Sequence, residues 1–149
     1  MVNKHNINIK QILIASDHAG YPLKEIIKKY LINKRFKVLD LGTNSKNISV
    51  DYPIYAKKLS KKINSKNCGI LVCGSGIGMS IASNRFKNVR SALVSSSRES
   101  KLSRQHNNSN VICLGARLIK KTTALKTVMS FLTTNFEGGR HLKRVKLLN

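Results

Sequence analysis

GILVCGSGIGMSIA, residues 69–82, is the stretch on which the fold turns. Its first half, GILVCG (69–74), is a short unbroken apolar run closed by a glycine, the pattern of a strand buried on both faces. Its second half opens a helix near Gly76, with Ile77, Ile81 and Ala82 expected to face inward. Between the two lie alternating glycines and a cysteine. A glycine loop at the start of a helix exposes main-chain N–H groups that bind anions, and a thiol beside it raises the question of chemistry.

The same alternation runs along the chain in both directions. ILIAS (12–16), KVLDLG (37–42), RSALVS (90–95) and NVICLG (110–115) are further strands. YPLKEIIKKYLINK (21–34) carries a helical stripe of Leu23, Ile26, Ile27, Tyr30 and Leu31, and Pro22 suits its first turn. PIYAKKLSKKIN (53–64), residues 97–106 and TTALKTVMSFLTTNF (122–136) are helices, and 43–52 is a polar loop. The tail GGRHLKRVKLLN (138–149) offers only a Leu142/Val145/Leu148 stripe. Strands followed by helices imply an α/β fold with a parallel sheet covered on both faces and right-handed crossovers. We expect one Rossmann-like, doubly wound five-stranded domain over 1–149, strand order 2-1-3-4-5, with a C-terminal arm from about residue 137.

Composition narrows the function classes. The 149 residues suffice for one domain with a core, and no run of about 18 apolar residues suggests a membrane span. The polar start, MVNKHNINIKQ, lacks the apolar centre of a secretory signal, so a cytoplasmic protein is expected. Cys68, Cys73 and Cys113 are odd in number and not in CxxC spacing, which argues against disulfides and a zinc site. Cys68 and Cys113 read as inert core thiols. Lys and Arg number 28 against 6 Asp and Glu, a net charge of +22. That balance fits a nucleic-acid-binding module or a chain whose lysines are scattered over solvated faces. The scatter across nearly every helix, and the few aromatics, favour the second reading over a specific nucleic-acid partner.

In an open parallel sheet, ligands bind beyond the carboxyl ends of the strands. Ser16-Asp17-His18 follows the first strand and Cys73-Gly74-Ser75-Gly76 the third, so both fall on one edge and flank one crevice. GSGIG matches a dinucleotide fingerprint poorly, although Asp40 stands on the second strand. Its donors suit a phosphate or a developing oxyanion, and they would lower the pKa of Cys73. Taken alone, Cys73 reads first as a buried thiol closing a strand, the usual fate of such a residue. His106-Asn107 precedes the fifth strand and Arg117 follows it, while Arg140 and Arg144 share one helical face. Two guanidinium groups so placed suit a phosphate, or merely water.

Taken in order, SDHAG (16–20), DYP (51–53), CGSGIGMSIA (73–82), LSRQHNNSNV (102–111), GAR (115–117) and FEGGRHLKRV (136–145) closely resemble the RpiB/LacAB sugar-phosphate isomerase family. The resemblance covers the chain after about residue 10. It implies interconversion of ribose 5-phosphate and ribulose 5-phosphate through a cis-enediolate, with neither metal nor organic cofactor. A six-carbon substrate, allose or galactose 6-phosphate, is the alternative. It further implies that Cys73 moves the proton between C1 and C2 and that the N–H groups of Gly74, Ser75, Gly76, Ile77 and Gly78 hold the enediolate. Ser75, where relatives often have Thr, would exchange protons between O1 and O2. His106 would open the furanose ring with Asp17 assisting, and Asn107 would hydrogen-bond the sugar. His18, Arg117, Arg140 and Arg144 match phosphate-gripping positions, and Tyr52 lines the pocket. The family site lies at a subunit interface of a homodimer or dimer of dimers.

Overall fold

Apolar runs become strands and amphipathic runs become helices in a computed structural model that describes residues 9–148. Most of the N-terminal segment read above for a secretory signal lies outside these residues. In chain order the elements are β1 (Gln11–Ser16), α1 (Tyr21–Asn33), β2 (Val38–Asp40), α2 (Tyr52–Ser60), β3 (Asn67–Cys73) and α3 (Ile77–Ser83). There follow β4 (Ser91–Leu93), α4 (Ser97–Asn107), β5 (Val111–Gly115), α5 (Lys121–Thr133) and α6 (Arg140–Lys146). No helix among the described residues is long and apolar enough to cross a membrane.

All strand pairings are parallel, and the order is β2-β1-β3-β5-β4. The expected 2-1-3-4-5 order is therefore corrected at its last two places. Burial explains the exchange. Every residue of β5, VICLG, is buried, as an interior strand requires. By contrast β4 has three residues, none fully buried, and Leu93 is 45% exposed. A short, half-wet strand belongs at an edge.

Alternation along the strands builds two cores. Ile12, Ile14, Ile70, Val72, Ile112 and Leu114 pack beneath α1 and α5, against Leu23, Ile27, Leu31, Val128 and Phe131. Leu13, Ala15, Leu71, Cys73, Val111 and Cys113 face α2 and α3, against Ala56, Leu59 and Met79. Helix α4 docks through hydroxyls, with Ser100 Oγ donating to the Thr127 carbonyl at 2.8 Å and Ser130 Oγ to that of Ser97 at 3.0 Å.

Two inward-facing assignments hold only in part: Ala82 packs against the core and Val145 is buried, but their expected companions are not. Ile77 and Ile81 of α3 are 50% and 63% exposed, whereas Met79 and Ser83 are buried. Both pairs are spaced i, i+4, so periodicity alone could not choose between the faces. Ser83 Oγ donates to the Met79 carbonyl at 2.7 Å and so is satisfied inside. In the tail, Leu142 and Leu148 are exposed, and the buried pair is His141 and Val145, which seats α6 against α4. The arm is thus a docked helix.

Asp40 is engaged inside the protein and so is not the free acidic partner a dinucleotide would need. The Lys24 side chain is fully buried, and its ammonium lies 2.5 Å from Asp40 Oδ2 and 3.0 Å from Glu25 Oε1. Lys28 binds the same two carboxylates at 2.7 Å, and Asp40 Oδ1 accepts the Gly42 N–H at 3.0 Å. Burial acts to raise the Asp40 pKa, but the hydrogen bonds from Lys24, Lys28 and Gly42 outweigh it and hold the carboxyl below its ordinary value. A depressed pKa stabilises the fold above the unfolded-state value, about 3.9, and that contribution fades as pH falls through the folded-state value. Asp40→Asn is accordingly expected to cost about 1–3 kcal/mol at pH 7. Urea unfolding of both proteins should show the gap closing below about pH 4.

Candidate active site

The carboxyl ends of β1, β3 and β5 meet at one cleft of about 330 Å³, lined by Asp17, His18, Tyr52, Cys73, Ser75 and Arg117 among others. Adjacency of β1 and β3 brings the first two loops together, as Ser16 pairs with Val72 and the Asp17 N–H donates to the Val72 carbonyl at 3.3 Å. Asp17 is 7% exposed, and its Oδ1 accepts the Gly20 N–H at 2.9 Å. His18 Nδ1 accepts the Val50 N–H at 3.1 Å, which leaves the neutral ring's proton on Nε2. The loop after β5 is tied down by Ala116 N–H to the Cys73 carbonyl (2.8 Å) and Arg117 N–H to that of Gly74 (3.0 Å). Those bonds set the Arg117 guanidinium against the α-carbon of Gly74.

Cys73 closes β3 at 4% exposure yet lines this cleft. Its Sγ accepts the Gly76 N–H at 3.0 Å, which fixes the sulfur against the glycine loop. Gly76 reaches this position through a left-handed turn, φ +77°, that an L side chain resists. The Ile77 N–H donates to Ser75 Oγ at 3.2 Å. Two of the five expected anion donors are thus already occupied. Among the described residues the N–H groups of Gly74, Ser75 and Gly78 meet no protein acceptor, so they are the free donors. The Ile77 side chain points out of this cleft.

Gly78 sits beneath Tyr52. A Cβ there would come 2.6 Å from the Tyr52 Cζ, and the ring, already 38% exposed, is free to swing away. Gly78→Ala should therefore raise KM for the substrate severalfold with a fold stability change below about 1 kcal/mol. Steady-state kinetics beside thermal unfolding will separate the two effects.

The remaining expected residues stand apart. His106 and Asn107 end α4, on the opposite edge of the sheet, and share a second cleft of about 280 Å³ with His141, Arg144, Val145 and Leu148. Arg140 begins α6. His106 and His141 stack with centroids 4.3 Å apart and planes at 12°. Glu137 Oε2 lies 4.0 Å from His106 Nε2 and 3.8 Å from His141 Nε2. Burial first, then His106, Arg140 and Arg144, lower the His141 pKa against the pull of Glu137. The sequence does not single out His141, which looks like one more polar residue of a basic tail; only its partnership with His106 marks it. These three offer metal-ligand atoms within 4.8 Å of one another. The imidazole lone pairs lie in nearly parallel planes, however, and do not converge on one ion.

The model of the ribose/galactose isomerase family matches residues 12–148. The chain is 45% identical over 137 residues to the probable ribose-5-phosphate isomerase B of Mycoplasma genitalium, covering 90% of each protein. It is similar to the structure of ribose 5-phosphate isomerase B from Anaplasma phagocytophilum, with TM-score 0.93 and 44% identity over 97% of this chain and 99% of the other. It is also similar to the Mycoplasma genitalium enzyme solved with bound ribulose-5-phosphate, with TM-score 0.85, 44% identity and 93% of both chains covered.

Proposed function

The chain belongs to the ribose/galactose isomerase family, and we propose that it interconverts ribose 5-phosphate and ribulose 5-phosphate, an aldose–ketose isomerisation. The observation that carries this reading is the Cys73 sulfur, held by the Gly76 N–H at the mouth of a sugar-sized cleft that also holds Asp17, His18 and Arg117.

A hydrogen beside a carbonyl is weakly acidic, so its removal needs a placed base and a stabilised oxyanion. The Cys73 thiolate takes the C2 proton of the open-chain aldose and returns it to C1. The N–H groups of Gly74, Ser75 and Gly78 hold the enediolate oxygens, and the Ser75 hydroxyl carries a proton from O2 to O1. Asp17, fixed by the Gly20 N–H, assists His106 in opening the ring. His18 presents Nε2–H, and Arg117, Arg140 and Arg144 grip the phosphate, whose binding anchors a floppy sugar. Asn107 and Tyr52 position the carbon chain.

His106, Asn107, Arg140 and Arg144 lie on the opposite sheet edge from Cys73, which supports a homodimer, or a dimer of dimers, in which each copy lends this cluster to the other's cleft. The protein acts in the cytoplasm, where sugar phosphates are turned over. The test is a comparison of ribose 5-phosphate with allose 6-phosphate and galactose 6-phosphate. We expect kcat/KM for the five-carbon substrate to be higher by about tenfold or more. Equal or reversed rates would assign the six-carbon reaction instead.

A further inference from the structure

We infer that a second oxyanion site, for phosphate or a phosphate monoester, lies on the amino edge of the sheet between Arg90 and Arg104. Arg90 leads into β4 and Arg104 sits in the last turns of α4. Both are half-buried, and both border a pocket of about 420 Å³ that shares no residue with the Cys73 cleft.

The two guanidinium groups converge on one residue. Arg90 Nε donates to the Asn108 carbonyl at 2.9 Å, and Arg104 Nη1 to Asn108 Oδ1 at 3.2 Å and to the Ser109 carbonyl. Arg104 Nε is spent on the Thr134 carbonyl at 3.2 Å. These contacts orient both side chains but leave both terminal nitrogens of Arg90, and Nη2 of Arg104, without a protein acceptor among the described residues. No carboxylate of those residues lies within ion-pair distance of either. The chain has only six acidic side chains, Asp17, Glu25, Asp40, Asp51, Glu99 and Glu137, and none lines this pocket.

Half-burying two cations side by side without a counter-charge is costly. Burial pushes both guanidinium pKa values down, and Arg90 adds to the shift at Arg104. A dianionic oxyanion removes that penalty and matches the forked donors. Of the neighbouring amides, Asn67 Nδ2 is given to the Lys62 carbonyl and Asn110 Nδ2 to that of Asn88, each at 2.8 Å, so the charged donors of the pocket are the two arginines. A pocket of this size admits a phosphorylated small molecule. It carries no aromatic platform for stacked bases.

The experiment follows the arginine Nε–H resonances of the full-length protein during titration with inorganic phosphate. Arg90 and Arg104 should shift together and saturate, with a midpoint on the order of millimolar. Arg144→Gln, which disturbs the other phosphate cluster, should leave that response intact. Arg90→Gln should weaken it by about tenfold or more. Ser65→Asp, which places a carboxylate on the exposed wall of the pocket, should weaken it comparably and serves if Arg90→Gln does not fold. Shifts that are absent, that never saturate, or that vanish in Arg144→Gln would overturn the site.

Discussion

Replacing Cys73 with alanine is expected to lower ribose 5-phosphate turnover by roughly 10³-fold, the scale of a lost general base, while Kd for the sugar phosphate changes less than about threefold. In the proposed mechanism the sulfur acts only at C1 and C2, and the proposed phosphate ligands are other residues, so the substrate still docks. Cys73→Ser sharpens the test. Serine restores an acceptor for the Gly76 N–H, now 3.0 Å from sulfur, but its hydroxyl is far too weak an acid to rest as the base. It should recover stability without recovering rate. Iodoacetamide should inactivate the wild type, with ribulose 5-phosphate protecting it. The other two thiols cannot confuse the result. Cys68 and Cys113 are buried, and burial pushes each pKa up to about 12. Near-normal turnover in Cys73→Ala would remove the cysteine from the mechanism.

How far this site was legible depends on whether its parts are local. Cys73, Gly76 and Ser75 lie within four residues of one another, and their contacts follow from a strand–loop–helix pattern. The juxtaposition of Asp17 with Cys73 needed only the adjacency of β1 and β3, which the topology rules supply. What the pattern hid was competition among donors. Nothing in GSGIG says that Gly76 turns its N–H to the sulfur and Ile77 to Ser75 rather than to a ligand. The exchange of β4 and β5 is readable in principle, because VICLG is apolar on both faces and SALV is not, whereas chain order alone places β4 inside. The inward faces of α3 and α6 were right only at Ala82 and Val145 for another reason: on a seven-residue helix, alternative stripes look alike until a neighbour buries one. His141 gave no signal because its role is to stack on His106, 35 positions away in the chain.

Mixing two dead variants should return activity. On the proposed mechanism His106→Gln lacks the ring-opening acid and Cys73→Ala lacks the base, so each alone is expected to turn over at well below a hundredth of the wild-type rate. In one subunit these residues sit on opposite edges of the sheet, in separate clefts of about 280 and 330 Å³. On the proposed mechanism a complete site takes Cys73 from one copy and His106 from another. Random exchange of subunits makes half of the dimers mixed, and twofold symmetry gives each mixed dimer one site with both groups intact and one with neither. Equimolar mixing after mild denaturation and refolding should thus yield about a quarter of wild-type activity per chain. Pairing His106→Gln with Arg144→Gln is the control. Both changes fall in the lent cluster, so every mixed dimer carries one fault in each cleft and no rescue follows. If the first pair stays inactive while size measurements show mixed dimers, the His106 cluster does not serve a neighbour's cleft. In that case ring opening would have to be assigned within one subunit, with Asp17 as the remaining candidate at the Cys73 end.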